Sequence, residues 1–222
     1  MKLNLFLYRL ENKIRRFAIE KLMSMLAIAM LIVFAADVII GVSTDYEAIS
    51  LNYLLQFNRA AIFKGQVWRI LSFIIVYPAQ GNIILTLLAL YFYFWTGSAV
   101  EGYWGKARFN LYYLFGIIGT IIAGFIVGYV DNTFLNLSIF LAFSCMFPEE
   151  RVLLFFFFPI KVKWLGIAEG VLLLLLFIIG GWATRAAIIA AITNFLLFFG
   201  YDLINRIKRA YRDYQWRKNN YR

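Results

Sequence analysis

Histidine is absent from this chain of 222 residues. Its absence removes the side chain that most often serves as general base or metal ligand near neutral pH. Cysteine occurs once, as Cys145 inside an apolar run. One thiol builds neither an intrachain disulfide framework nor a metal cluster, and its apolar setting reads as a core position rather than a nucleophile. Charge is scarce as well: 15% of residues are charged and 63% hydrophobic, against about 25% and about 45–50% in a soluble domain. What fills the chain instead is one apolar run after another, of the roughly 17–25 residues that a bilayer requires. The reading is an all-α polytopic membrane protein.

The net charge of +10 does not point to nucleic acid, because the basic residues flank the apolar runs and form no single face. They report topology. Residues 1–20 place Lys2, Arg9, Lys13, Arg15 and Arg16 among Leu3, Leu5, Phe6, Leu7, Leu10, Ile14 and Phe17, which suits an amphipathic helix on an anionic membrane surface. No small-residue cleavage site follows the first apolar run, so a cleaved secretion signal is not expected. Residues 21–205 hold six expected helices, at about 21–42, 81–100, 107–130, 134–147, 164–180 and 184–204. The fourth is short for a span and suits the centre of a bundle. Residues 43–68 are too apolar for a free loop, and Pro159 interrupts an amphiphilic run at 151–163. Residues 206–222 form a basic, aromatic tail suited to the surface of anionic lipid.

Small residues recur four apart as Gly116, Thr120, Gly124 and Gly128, and again as Ala183, Ala187 and Ala191. Such ridges let helices approach closely within a bundle. Lys and Arg number six before the first span, two after the second, three after the fourth and seven in the tail, against four on the other side. Six spans put both termini on one side, and the positive-inside rule makes that side cytoplasmic. The composition, rich in Lys, Phe and Ile, fits a bacterial cytoplasmic membrane.

The stretch from Gly65 to Gly119 is the most specific. It runs Gly65-Gln66, Trp68-Arg69, an apolar helix reaching Gly97 and Glu101, a hinge at Gly105 and Arg108, then an aromatic-rich helix. This order resembles the rhomboid family. A fainter likeness follows at Phe147-Pro148, Arg151 to Leu154, and Pro159 to Lys161. The resemblance covers roughly residues 20–205 and implies a six-helix rhomboid-like bundle, with Trp68, Arg69, Gly97, Glu101 and Gly105 as its structural motif.

Rhomboid proteases use a serine on the fourth helix, a histidine base on the sixth, and a histidine and asparagine on the second to stabilise the oxyanion. Here the fourth helix offers Ser138 without flanking glycines, or Thr133 if aligned without a gap; the sixth offers Asn194; the second offers Asn82 and Thr86. Asparagine cannot take a proton near neutral pH, and Lys161 and Lys163 fall near the cytoplasmic edge, away from the family's site. Catalysis is therefore not expected, and Asn82, Ser138 and Asn194 read as a buried polar cluster. No cofactor is implied.

The resemblance then implies an inactive, rhomboid-like pseudoprotease that binds or scaffolds transmembrane segments of client proteins, reached laterally between the second and fifth helices. Residues 171–178 would line that route. The alternative is a small transporter or channel built on the intramembrane charges Asp37, Glu169 and Arg185. Membrane lipids are the other expected partners.

Overall fold

A computed structural model describes residues 2–43, 50–79, 81–154 and 158–220. Parts of the connection at 43–68 (44–49), of the amphiphilic run (155–157) and of the tail (221–222) lie outside the described residues. The element order is α1 (Lys2–Ile14), α2 (Leu22–Ser43), α3 (Leu51–Leu55), β1 (Phe57–Asn58), α4 (Arg59–Phe63), α5 (Arg69–Ser72), a 3-10 turn (Phe73–Ile75), α6 (Ile83–Trp104), α7 (Lys106–Val127), β2 (Tyr129–Val130), α8 (Thr133–Met146), β3 (Arg151–Leu154), β4 (Phe158–Lys161), α9 (Val162–Ile179) and α10 (Trp182–Asn220). Among the described residues, α2, α6, α7, α9 and the Trp182–Gly200 part of α10 are long and apolar enough to cross a membrane.

The central element is the shortest of the apolar helices. At 14 residues α8 extends only about 21 Å, and it packs against α6, α7, α9 and α10. With its neighbours it builds an aromatic core around Phe109, Tyr112, Phe143, Phe195 and Phe198. Most of the rings meet edge-on or tilted, as Trp95 does on Phe143 and Phe92 on Phe140, an arrangement the ring quadrupoles favour. Phe109 stacks on Tyr113 and Phe195 on Phe199. The glycine ridge of α7 packs inside the bundle: a Cβ at Gly116 would overlap Leu135 of α8, and one at Gly124 would overlap Phe57.

The two ends of the bundle differ in charge. One gathers α1, the start of α2, the α6–α7 turn, the end of α8 and the start of α9. Asn110 exchanges two hydrogen bonds with the backbone of Ile19 there, and Tyr103 rests edge-on against Phe147. This is the basic end. The far end holds α3 to α5 and the start of α8, where Asn132 donates to the carbonyls of Ile74 and Val76.

Four features differ from the sequence expectation. Part of the apolar stripe of α1 meets protein, for Leu7 is buried and Leu10 and Ile14 pack on the bundle core beside α7, while Phe17 just beyond the helix is exposed. Residues 57–58 pair antiparallel with 129–130, tying the long connection to the end of α7. The run 151–163 forms an antiparallel hairpin, with Arg151 opposite Lys161. Finally, α10 does not stop near 204 but continues to Asn220.

The hairpin is clamped by Glu149, whose carboxylate accepts from Lys161 at 2.6 Å and Lys163 at 2.9 Å. The hydrogen bonds from these two ammonium groups hold its carboxyl down at about 2. A lowered carboxyl contributes order that is present above its unfolded value, near 4.5, and is lost as pH falls toward 2. Amide protection factors across Arg151–Leu154, corrected for intrinsic exchange, are therefore expected to fall between pH 4.5 and 2, and Glu149→Gln to show the lower protection already at neutral pH. The effect is small because all three side chains are exposed.

Candidate functional site

The motif residues lock elements together. Glu101, near the end of α6, is buried, and its two carboxylate oxygens accept from the backbone N–H groups of Leu22 at 2.9 Å and Met23 at 3.1 Å. Those are orphan donors at the first turn of α2, where the helix dipole also favours an anion. One turn earlier, Gly97 has no room for a Cβ, which would overlap the Met23 side chain. Gly105, at φ +79°, reverses the chain between α6 and α7 in a conformation that L side chains rarely adopt. Arg108 lies over the Trp104 ring at 4.9 Å and donates to the carbonyl of Phe198.

Arg69 does the same at the far end. It is 3% exposed, and its guanidinium donates to the carbonyls of Tyr53 (2.8 Å) and Gln56 (2.9 Å) and to Gln66 Oε1 (2.6 Å). Trp68 is half exposed, with its indole N–H directed at the Leu54 carbonyl.

The three residues expected to form one polar cluster separate. Ser138 is buried on α8, where its Oγ accepts from Tyr112 Oη at 2.9 Å and donates to the Leu135 carbonyl at 2.7 Å. Asn194 of α10 is also buried, and its Nδ2 donates to the Tyr112 carbonyl at 3.1 Å. Tyr112 thus links Ser138 to Asn194. Asn82 does not join them: it is exposed at the start of α6, accepting from the Ile84 N–H at 2.8 Å as a helix cap. Thr86 is buried on the next turn, and Thr133 is exposed at the start of α8.

With both ends of its hydroxyl engaged, Ser138 behaves as a structural donor and acceptor. Lys161 and Lys163 are bound to Glu149 on the hairpin at the basic end.

The charges considered for transport do not converge. Asp37 accepts from Ser50 Oγ, from the backbone N–H groups of Leu51 and Asn52, and from Tyr77 Oη, so it caps α3 and closes the far-end connection. Burial, then the adjacent carboxylate, pushes the Tyr77 phenol up to about 12, which keeps it a donor over the whole range in which proteins are handled. Arg185 donates to the last carbonyls of α9, those of Phe177 and Ile178, and covers the Trp182 ring. Glu169 differs from both. It is 7% exposed, and neither carboxylate oxygen has a hydrogen-bond partner among the described residues.

Four further residues carry unmet polarity among the described residues: Ser98 at Oγ, Tyr113 at Oη, Asn136 at both side-chain atoms and Asn194 at Oδ1. An open groove of about 430 Å³ lies between α7 and α10, floored by Gly119, Ala123, Ala186 and Ala190, with Thr193 and Asn194 at one end. Tyr112 is the residue that sequence reasoning missed. It sits in an aromatic run whose composition sets no register.

Against protein-family models, curated proteins and solved structures, the chain finds no match in any of the three comparisons.

Proposed function

We propose that this chain is a rhomboid-like pseudoprotease: a six-pass membrane protein without a catalytic pair that binds transmembrane helices of client proteins. The observation that carries the reading is the arrangement around α8. Helices α6 and α9 both pack on it, yet neither packs extensively on the other. Each presents an unpartnered apolar face, including Leu88 and Tyr91 on α6 and Val171, Leu174 and Phe177 on α9. A single helix from another protein fits beside α8 between two such faces.

The finer points have separate support. Helix α8 runs from the far end, where Asn132 is tied to the 3-10 turn, to the basic end, where Phe147 meets Tyr103. Thinning of the bilayer around a buried short helix makes that a sixth crossing. Both termini then lie on the basic side, which the positive-inside rule assigns to the cytoplasm. The lack of histidine and the occupied Ser138 hydroxyl support a non-proteolytic role.

The test is photo-crosslinking in cells from probes at Leu88 and Phe177, read by mass spectrometry. Leu173 belongs to the expected client face by sequence, but at 2% exposed it turns into the bundle and serves as the buried control. Recurrent adducts to a few membrane proteins from the first two positions, and none from the third, are the expected result. Lipid adducts alone would sink the proposal. Ser138→Ala should leave the adducts unchanged and lower stability by about 1–3 kcal/mol, because the buried Tyr112 hydroxyl loses its acceptor. Fluorophosphonate labelling at Ser138 would instead reopen catalysis.

A further inference from the structure

We propose that Glu169 is the anchoring point for a basic side chain carried by a client transmembrane helix seated between α6 and α9. This rests on the client-binding reading above and gives it a chemistry.

Among the described residues, the buried carboxylic acids and bases are Arg69, Glu101 and Glu169. The first two are fully engaged by carbonyls or backbone N–H groups. Glu169 has no donor at either oxygen. An acid inside a spanning segment is expensive to hold there, and is kept where a partner meets it. Acyl chains supply no donor, so lipid in the gap beside α9 leaves the carboxyl unmet. A lysine or arginine on an incoming helix supplies both donors and charge.

The setting makes the group reachable. The inward residues of α9 are Val162, Gly166, Glu169 and Leu173. One of the four is a glycine, pressed so close that a Cβ would overlap Ser144 of α8, and one is the acid itself. Val162 and Leu173, with the half-buried Leu165, are the sizeable apolar side chains that hold this face, and α9 packs on α8, α10 and β4 alone to any extent. A small shift of α9 off α8 uncovers the carboxyl on the side where α6 stands apart. Tyr93 of α6 and Tyr112 of α7 lie within electrostatic reach of it, so Glu169 faces the bundle interior, not bulk lipid. It sits seven residues beyond Val162, about 10 Å along the helix from its basic end. The matching cation on a client therefore lies about 10 Å into the client's own apolar run.

The experiment uses the full chain in liposomes with photo-probes at Leu88 and Phe177. Two designed Leu/Ala single-span peptides are offered: one with a lysine at that depth, one with leucine there. The lysine peptide should give about tenfold more adduct, the size of one good intramembrane polar contact. Glu169→Gln should bring it down to the leucine level, and Glu169→Asp should keep part of the preference. A Glu169→Gln protein that holds or raises its thermal midpoint excludes misfolding as the cause. If both peptides crosslink equally in wild type, or the preference survives Glu169→Gln, the role of Glu169 is overturned while helix binding stands. If neither peptide crosslinks, helix binding itself fails and this inference with it.

Discussion

Glu101→Ala should lower the thermal midpoint of the detergent-solubilised protein by about 6–12 °C. The substitution strips the first turn of α2 of its anion and leaves the N–H groups of Leu22 and Met23 buried without acceptors. Each orphaned donor costs about 1–3 kcal/mol, and the lost dipole interaction adds a few tenths more. A total near 3 kcal/mol corresponds to that shift in a protein of this length. Glu101→Gln keeps one acceptor oxygen and should lose about half as much. The comparison separates charge from shape, because Gln fills the same space beside Gly97 and Met23. A change below about 2 °C in the Ala variant would mean that Glu101 does not hold α2 to α6.

Arg69→Ala should act at the opposite end and more locally. The guanidinium gathers the carbonyls of Tyr53 and Gln56 with the side chain of Gln66, and its plane lies over the Tyr53 ring at 5.7 Å. Removing it orphans two carbonyls at the join of α3 and β1, worth about 2–3 kcal/mol together. Amide exchange across Leu51–Asn58 should accelerate roughly 30- to 150-fold, with the α7 and α8 amides little changed. Arg69→Lys should recover only a minor part, since an ammonium group cannot span the three acceptors that the planar fork reaches. Uniform acceleration across the whole bundle would show instead that the far-end connection unfolds together with the core.

Much of this architecture was legible because hydrophobicity measures the bilayer directly. The spans at α2, α7 and α9 begin and end within a few residues of where the apolar runs do, and the shortness of α8 already implied its central place. What hydrophobicity does not measure is whether a helix continues. The expected end of α10 near 204 marks where apolar residues give out, yet no proline follows and the next residues, rich in Arg and Lys, favour helix. The β3–β4 hairpin escaped because its Phe-rich run lacks the alternation that marks a half-buried strand. At the site, Ser138 was distinguishable from Thr133 only by register within an apolar helix. Asn82 carried a signal that was passed over: an asparagine directly before an apolar helix is a cap first. Glu169 was visible as an intramembrane acid, but only packing separates it from Asp37, which has four donors.

The unbroken run of α10 couples two environments mechanically. From Gly200 to Asn220 the same helix that packs against α7 and α8 extends about 30 Å further. A rigid rod of that length converts a tilt of about 10° in its spanning half into a sweep of about 5 Å at its tip. Repacking beside α8 would thus be transmitted along the helix as displacement of its far half.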